Sequence, residues 1–326
     1  MKAAITTADQ GFELVDLPDP TPGVGELVIR VAACGVCGSD IKARPFVPAG
    51  RIMGHELGGR IVAVGPQAGD RQVGVNVAVL PVVSCGTCRY CRAGVVTHCA
   101  RSGYLGMGPP GGFAEFAVVP ARHAFVVPYS VPDSHAALVE PFAVGLHAVH
   151  SAEVTAGEDI LVVGAGGVGL TTIAWLAQRR AQRVTAVDPD PDRRALALAM
   201  GATDALPALS EIEAGAYDVA VECVGHPGLL RECQPAMRPR GRIVISGACA
   251  TPTPIEPVTA LLNELTIRYS VCYRPDEFRS VIRAFTEGVI DPQPMIGPLL
   301  DLSRLAEAFD LVRGGRVHGR VLVGPR

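Results

Sequence analysis

The stretch 159–169, DILVVGAGGVG, limits the possible folds of this chain more than any other segment. An apolar, valine-rich run passes into a glycine turn, then into a helical pattern over 170–180 and a second strand-like run over 183–188. That alternation is the mark of a parallel sheet with helices on its faces. Gly164, Gly166 and Gly169 permit a tight turn and a close backbone approach to a pyrophosphate, and Gly167 and Val168 complete the loop. Free amides at the start of the following helix attract the phosphate charge. Asp188 closes the next strand, where a carboxylate accepts hydrogen bonds from adenosine ribose hydroxyls and repels a 2′-phosphate. The expected ligand is therefore NAD in preference to NADP. Arg193 is a second ribose candidate, with a solvated helix charge as its alternative reading, and Arg194 reads as surface.

A chain of 326 residues exceeds the size at which a single core stops growing, so two domains are expected. Hydrophobic residues at 48% against 19% charged suit a well-buried globular enzyme. The net charge of −3 offers no basic footprint, which argues against nucleic acid and anionic membrane as partners. The N-terminal residues have no long apolar core of the signal-peptide kind, and no apolar run is long enough to span a bilayer. A cytoplasmic location is the expectation. Valine- and isoleucine-rich runs at 27–33, 60–64 and 75–80, punctuated by glycine and proline, predict a β-rich N-terminal region. The βαβ texture begins after about residue 142, with further strands at 241–246 and 265–272. The amphipathic stretch 302–313 and the strand 320–323 are read as returning to the first domain.

Four of the ten cysteines fall close together, as Cys85, Cys88, Cys91 and Cys99. In a reducing compartment clustered thiols hold metal more often than disulfides, and short spacers let four thiolates reach one tetrahedral zinc. An iron–sulfur cluster is the chemical rival, which visible absorbance separates from zinc. With every position filled by protein, such a zinc has no opening for substrate and serves to fix a loop. The neighbouring His98 reads as surface.

A second metal set precedes this array: Cys37 within CGVCGSD at 34–40, His55 and Glu56 within GHE at 54–56, and Glu140 much later. A reactive zinc takes three protein ligands and keeps one position open. Cys37, His55 and Glu140 are the first choice. Each residue alone is unremarkable, since a lone cysteine usually fills a core. Their order ahead of a dinucleotide loop is what carries weight.

With GGFAEF at 111–116, EPFAVGLHA at 140–148 and GAGGVG at 164–169, these motifs resemble the medium-chain zinc-dependent alcohol dehydrogenase/reductase family over nearly the whole length, nearest its sorbitol and threonine dehydrogenase branch. The resemblance implies an α/β protein with a GroES-like β-rich catalytic domain (1–141 and 284–326, zinc lobe 85–99) and a doubly wound Rossmann domain (142–283). It implies two zincs per chain, a homodimer or homotetramer paired through strands like 265–272, Ser39 as the hydroxyl on the proton route, and Ser246 and Gly247 beside the nicotinamide. It also implies that Glu56 and Glu140 exchange places at the metal.

The expected reaction moves a hydride between a secondary alcohol and NAD, zinc lowering the hydroxyl pKa and the cofactor taking the hydride. The resemblance to that branch implies an alcohol of the polyol, sugar-derived or hydroxy amino acid class. Lys42 stands where related sequences usually carry histidine, and Lys2 is the only other lysine. Because a desolvated lysine can lose its proton, Lys42 is a candidate end of the proton relay or a contact to an anionic substrate, against the alternative of an exposed loop lysine. The segment 41–53, with Arg44 and Phe46, is a candidate pocket wall, whereas Phe113 and Phe116 read as core. The rivals are a zinc-free quinone or alkene reductase of the same superfamily and a non-catalytic NAD-binding sensor. Neither needs both ligand sets.

Overall fold

A computed structural model describes residues 1–315 and 317–325. The chain divides into two compact units, one formed by residues 1–140 with those from 274 onward, the other by 141–273.

In the first unit a seven-stranded sheet runs in the order Ile296–Asp301, Arg320–Gly324, Glu26–Gly35, Glu56–Val64, Asn76–Val79, Ala124–Val126, with Phe116–Pro120 also paired to Glu26–Gly35. The strand Glu26–Gly35 is the hub because its residues are buried on both faces (Leu27, Val28, Ile29 and Val31 are each at most 2% exposed). Two register shifts against Glu56–Val64 bend it, as bulges do. Leu27, Ile29, Leu57, Ile61, Val77, Phe113 and Phe309 share the core beneath. Phe113 is thus core as expected, and Phe116 lies half-buried under the Arg30 guanidinium.

The 302–313 stretch forms a 3-10 turn followed by the helix Leu305–Arg313, and it belongs with 320–324 to the first unit. The return begins at 274, ten residues before the expected 284. The cause is the helix Pro275–Thr286, whose buried Phe278 meets the Phe125 ring at 5.1 Å between centroids. Amphipathic spacing shows that such a helix buries one face, but not against which unit.

The second unit is a six-stranded, all-parallel sheet ordered Asp204–Leu206, Arg183–Val187, Asp159–Val163, Tyr217–Glu222, Met237–Ile245, Thr266–Tyr269. In chain order this is 3-2-1-4-5-6, the doubly wound arrangement. The order reverses between Asp159–Val163 and Tyr217–Glu222, so a crevice opens at the carboxyl ends of those strands. The first strand is buried at all five positions, as a strand covered by helices on both faces must be. No helix of the described residues is long and apolar enough to cross a membrane.

Candidate metal and dinucleotide sites

The four clustered cysteines meet around one point. Their sulfur atoms all lie within 4.8 Å of one another, with Cys85 to Cys91 at 3.8 Å and Cys88 to Cys91 at 3.5 Å. A tetrahedron of roughly 2.3 Å zinc–sulfur bonds places its sulfurs about 3.8 Å apart, so the cage has the size zinc requires. Backbone amides of Thr87 and Cys88 donate to Cys85 Sγ, and those of Cys85 and Arg101 donate to Cys99 Sγ, all at 3.4 Å. Such donors favour thiolates. The Thr87 amide leads in drawing the Cys85 thiol down to about 5, while burial and then Cys88 push Cys91 up to about 11. Four thiols crowded together compete for protons, and a dication resolves that competition by taking all four as thiolates. His98 is exposed, with its ring beside the Thr97 hydroxyl and the Tyr90 ring.

The second ligand set is built where the hub strand ends. Cys37 caps the short helix Gly38–Ala43, and Asp40 in its first turn accepts the Cys37 amide at 3.0 Å. The other Asp40 oxygen accepts His55 Nδ1–H at 3.0 Å, with both side chains at most 3% exposed. The imidazole is thereby held with Nε2 as its free lone pair, as a carboxylate–histidine–metal arrangement requires. Ser39 Oγ lies 3.5 Å from that Nε2. Burial alone would lower the His55 pKa, but the Asp40 charge and hydrogen bond, with Cys37, raise it well above the ordinary value. Proton and metal therefore compete for the same nitrogen.

Ligand atoms of Cys37, His55 and Glu56 lie within 4.8 Å of one another. The carboxylate that joins the cysteine and histidine is thus Glu56, not the Glu140 of the first-choice set. The reason lies across the strand: Glu56 pairs with Gly35, where a Cβ would sit only 2.1 Å from Glu56 Oε2. Glycine leaves the room the carboxylate occupies. Glu56 is fully buried, and neither oxygen has a hydrogen-bond donor among the described residues, although Arg320 Nε approaches to 3.1 Å. Arg320 offsets the charge at Oε2, but Oε1 is buried with no donor among the described residues, a costly state that a further cation relieves, so this set also fits a metal. Glu140 is buried nearby and accepts from the Tyr104 hydroxyl at 3.3 Å, while the Tyr104 ring lies 5.2 Å from that of His55.

Three residues of this site escaped the sequence reading. Asp40 stands inside the CGSD motif, three residues from the cysteine whose amide it accepts, and that spacing was an available signal. Nothing in the sequence ties Arg320 to Glu56 or Tyr104 to Glu140. Lys42 is exposed in the last turn of its helix, so the desolvation on which a relay role depended is not found. Arg44 is turned away from this site: its guanidinium is buried, donates to the carbonyls of Thr7 and Gly11 at 2.8 Å, and stacks over Phe12. Phe46, by contrast, is 86% exposed.

In the second unit Gly164 takes φ +91°, a conformation side chains rarely adopt, and a Cβ on Gly169 would lie 1.8 Å from the Gly164 carbonyl oxygen. Gly166 faces open space and caps the helix Gly167–Ala177 without a side-chain bond, leaving the amides that follow for an anion. Asp188, only 3% exposed, ties the loop to the next strand by accepting the amides of Ala165 at 2.8 Å and Asp190 at 3.0 Å. Arg193 lies 3.9 Å from both Asp188 and Asp190. Arg194, read as surface, instead donates to the carbonyls of Asp188 and Pro189 at 2.8 and 2.9 Å and braces the strand end. The amides of Ser246 and Gly247 both donate to the Glu222 carbonyl, and these two residues line a cavity of about 420 Å³ with His226 and Tyr269. The cradle fits a dinucleotide.

The alcohol dehydrogenase GroES-like domain model matches residues 23–129, and the zinc-binding dehydrogenase model matches residues 167–287. This chain belongs to the zinc-dependent alcohol dehydrogenase family. Among similar proteins, the starvation-sensing protein RspB of Escherichia coli K12 is 32% identical over 98% of this chain and 97% of its own length. An L-threonine 3-dehydrogenase of Saccharopolyspora erythraea is 33% identical over 99% and 98%. The crystal structure of the rspB alcohol dehydrogenase of E. coli CFT073 with NADH superposes at a TM-score of 0.92, with 31% identity and 99% of both chains covered. A zinc-binding dehydrogenase of Sinorhizobium meliloti bound to NADP gives 0.91, at 28% identity and the same coverage. The expected family and fold class are thereby established, and with them a zinc- and nicotinamide-dependent oxidoreductase.

Proposed function

We propose that this alcohol dehydrogenase oxidises a secondary alcohol of the polyol, sugar-derived or hydroxy amino acid class to its ketone, with NAD as the preferred oxidant. The observation that carries the reading is the grouping of half-buried Cys37 with buried His55 and Glu56, the Ser39 hydroxyl beside the histidine. When bound, zinc supplies charge stabilisation to an alcohol oxygen losing its proton, and NAD supplies the hydride acceptor. The balance is alcohol plus NAD⁺ to ketone, NADH and one proton. Ser39 takes the hydroxyl proton and passes it outward. Asp40 holds the His55 ring, and Arg320 offsets the Glu56 charge. The charges of Cys37 and one carboxylate match those of the metal, and Glu140, held by Tyr104, is the carboxylate available to exchange with Glu56.

On the cofactor side, Gly164, Gly166, Gly167, Val168 and Gly169 cradle the pyrophosphate. Asp188 accepts the ribose hydroxyls with Arg193 beside it, and Ser246 and Gly247 flank the nicotinamide. Cys85, Cys88, Cys91 and Cys99 hold a second, structural zinc. The strand Thr266–Tyr269 ends the parallel sheet with Tyr269 71% exposed, and an uncovered sheet edge is a template for pairing. A homodimer or homotetramer formed through that edge is part of the proposal, as is a cytoplasmic location.

The test is a panel of secondary alcohols and their ketones, assayed with NAD and NADP on protein of measured zinc content. NAD-dependent turnover at two zincs per chain supports the reading. Equal efficiency with both dinucleotides overturns the NAD preference, and turnover of quinones or activated alkenes alone overturns the alcohol assignment.

A further inference from the structure

Away from both zinc sets, the first unit carries a groove of about 510 Å³ lined by Arg71, Arg122, Arg279 and Arg283 around Phe125 and Ile282. Its size falls within the roughly 300–1,000 Å³ of small-molecule sites. None of the four guanidiniums is ion-paired among the described residues. Elsewhere arginines of this chain find carboxylates readily: Arg60, Arg183, Arg238, Arg242 and Arg268 all do. Basic residues are not in excess, at 29 lysines and arginines against 32 acids, so an unpaired cluster is not a by-product of composition.

The arginines are also partly preset. Arg71 is anchored on the Ala121 carbonyl at 3.1 Å, Arg122 on the Ser84 carbonyl, and Arg283 on Ser280 Oγ at 3.4 Å. Each spends one or few of its five donors. Arg279 lies over the Phe125 ring at 5.1 Å, giving the groove a flat face that is both cationic and aromatic. The positive field reaches His123, whose pKa burial and then the Arg122 charge depress. Glu287, the one acid lining the groove, pairs with none of the four among the described residues.

We propose that this groove binds a small phosphate ester with a flat apolar body, the phosphate meeting the guanidiniums and the body resting against Phe125 and Ile282. Planar guanidiniums engage phosphate through paired N–H donors, and these four line one groove with a single acid among the lining residues. The site is separate from the residues assigned to zinc and dinucleotide.

The probe is 1-naphthyl phosphate, titrated calorimetrically into enzyme saturated with NADH so that the dinucleotide cradle is filled. The expected result is saturable binding of one molecule per chain, weakened by added salt. The double variant Arg279→Ala/Arg283→Ala should bind at least about tenfold more weakly, and 1-naphthol should fall behind by a similar factor. Alcohol turnover by that variant should match wild type. Absence of saturable binding, undiminished binding to the double variant, or equal affinity for 1-naphthol each overturns the proposal. A changed oligomeric mass in the variant also overturns it, because the arginines would then belong to a contact between subunits.

Discussion

Asp40→Asn tests the construction of the reactive metal set most directly. Asp40 is 1% exposed and uses one oxygen for His55 Nδ1–H and the other for the Cys37 amide, each at 3.0 Å, so a single carboxylate orients two ligands. Asparagine has nearly the same shape but only one acceptor. Whichever way it lies, its NH₂ faces an N–H donor, and the charge that strengthens the other bond is gone. A hydrogen bond to a charged group contributes about 1.5–3 kcal/mol, and each 1.4 kcal/mol is a factor of about ten. Zinc at this set should therefore bind about 10- to 100-fold more weakly, the range found for partners that orient metal-bound histidines. The measurement is competition against a fluorescent zinc chelator at several pH values, which separates proton competition for His55 from loss of the Asp40 bond, with zinc per chain counted after dialysis. The variant should keep the lobe zinc, lose the other first, and melt near the wild-type temperature. An Asp40→Asn protein that withholds both zincs as tightly as wild type would refute the proposition that Asp40 sets the His55 ring, or that His55 is a ligand at all.

Glu140→Ala should lose activity or the reactive zinc while the four-cysteine lobe stays loaded; full activity with two zincs per chain would remove Glu140 from the site. Asp188→Ala should raise the NAD KM by about tenfold or more and erase discrimination against NADP, since Asp188 both bonds the glycine loop and faces the ribose; initial rates with each dinucleotide decide this. Lys42→Ala should leave the pH–rate profile superimposable on wild type, because the lysine is exposed, and a displaced alkaline limb would restore it to the relay. Burial, then the Arg122 charge, holds the His123 imidazole down at about 4 in the folded chain. An unfolded histidine titrates near 6.5, so native stability is intact above that pH, falls as pH drops toward 4, and levels off below it at a loss of about 3 kcal/mol. His123→Phe should abolish that component, so that the unfolding free energy from urea titrations falls between pH 7 and pH 5 by about 2 kcal/mol less than in wild type; parallel pH dependences would refute it.

Sequence foresaw the features whose parts lie close together along the chain. The dinucleotide cradle is one continuous strand, turn and helix, with Gly164 demanded by its φ and Gly169 by the carbonyl a Cβ would meet. The four cysteines are likewise local, so spacing alone implied a shared ion. What escaped depended on side chains meeting across the sheet. The preference for Glu56 over Glu140 follows from empty space above Gly35, which the residue letters do not reveal. Arg320 reaches Glu56 only because Arg320–Gly324 pairs beside the strand that ends at Gly35. The early return at 274 depends on which unit receives the apolar face of Pro275–Thr286, a choice periodicity leaves open.

That pairing of Arg320–Gly324 with Glu26–Gly35 has a bearing on biosynthesis. All six strands of the parallel unit lie before residue 270, so it can assemble on the ribosome as an uninterrupted block. The other unit must wait, its hub strand missing a neighbour and its buried Glu56 lacking a guanidinium, until translation has passed residue 320. Nascent protein should therefore acquire a protected nucleotide fold well before it acquires a finished metal pocket, and a stall late in translation would yield a chain with the first and not the second.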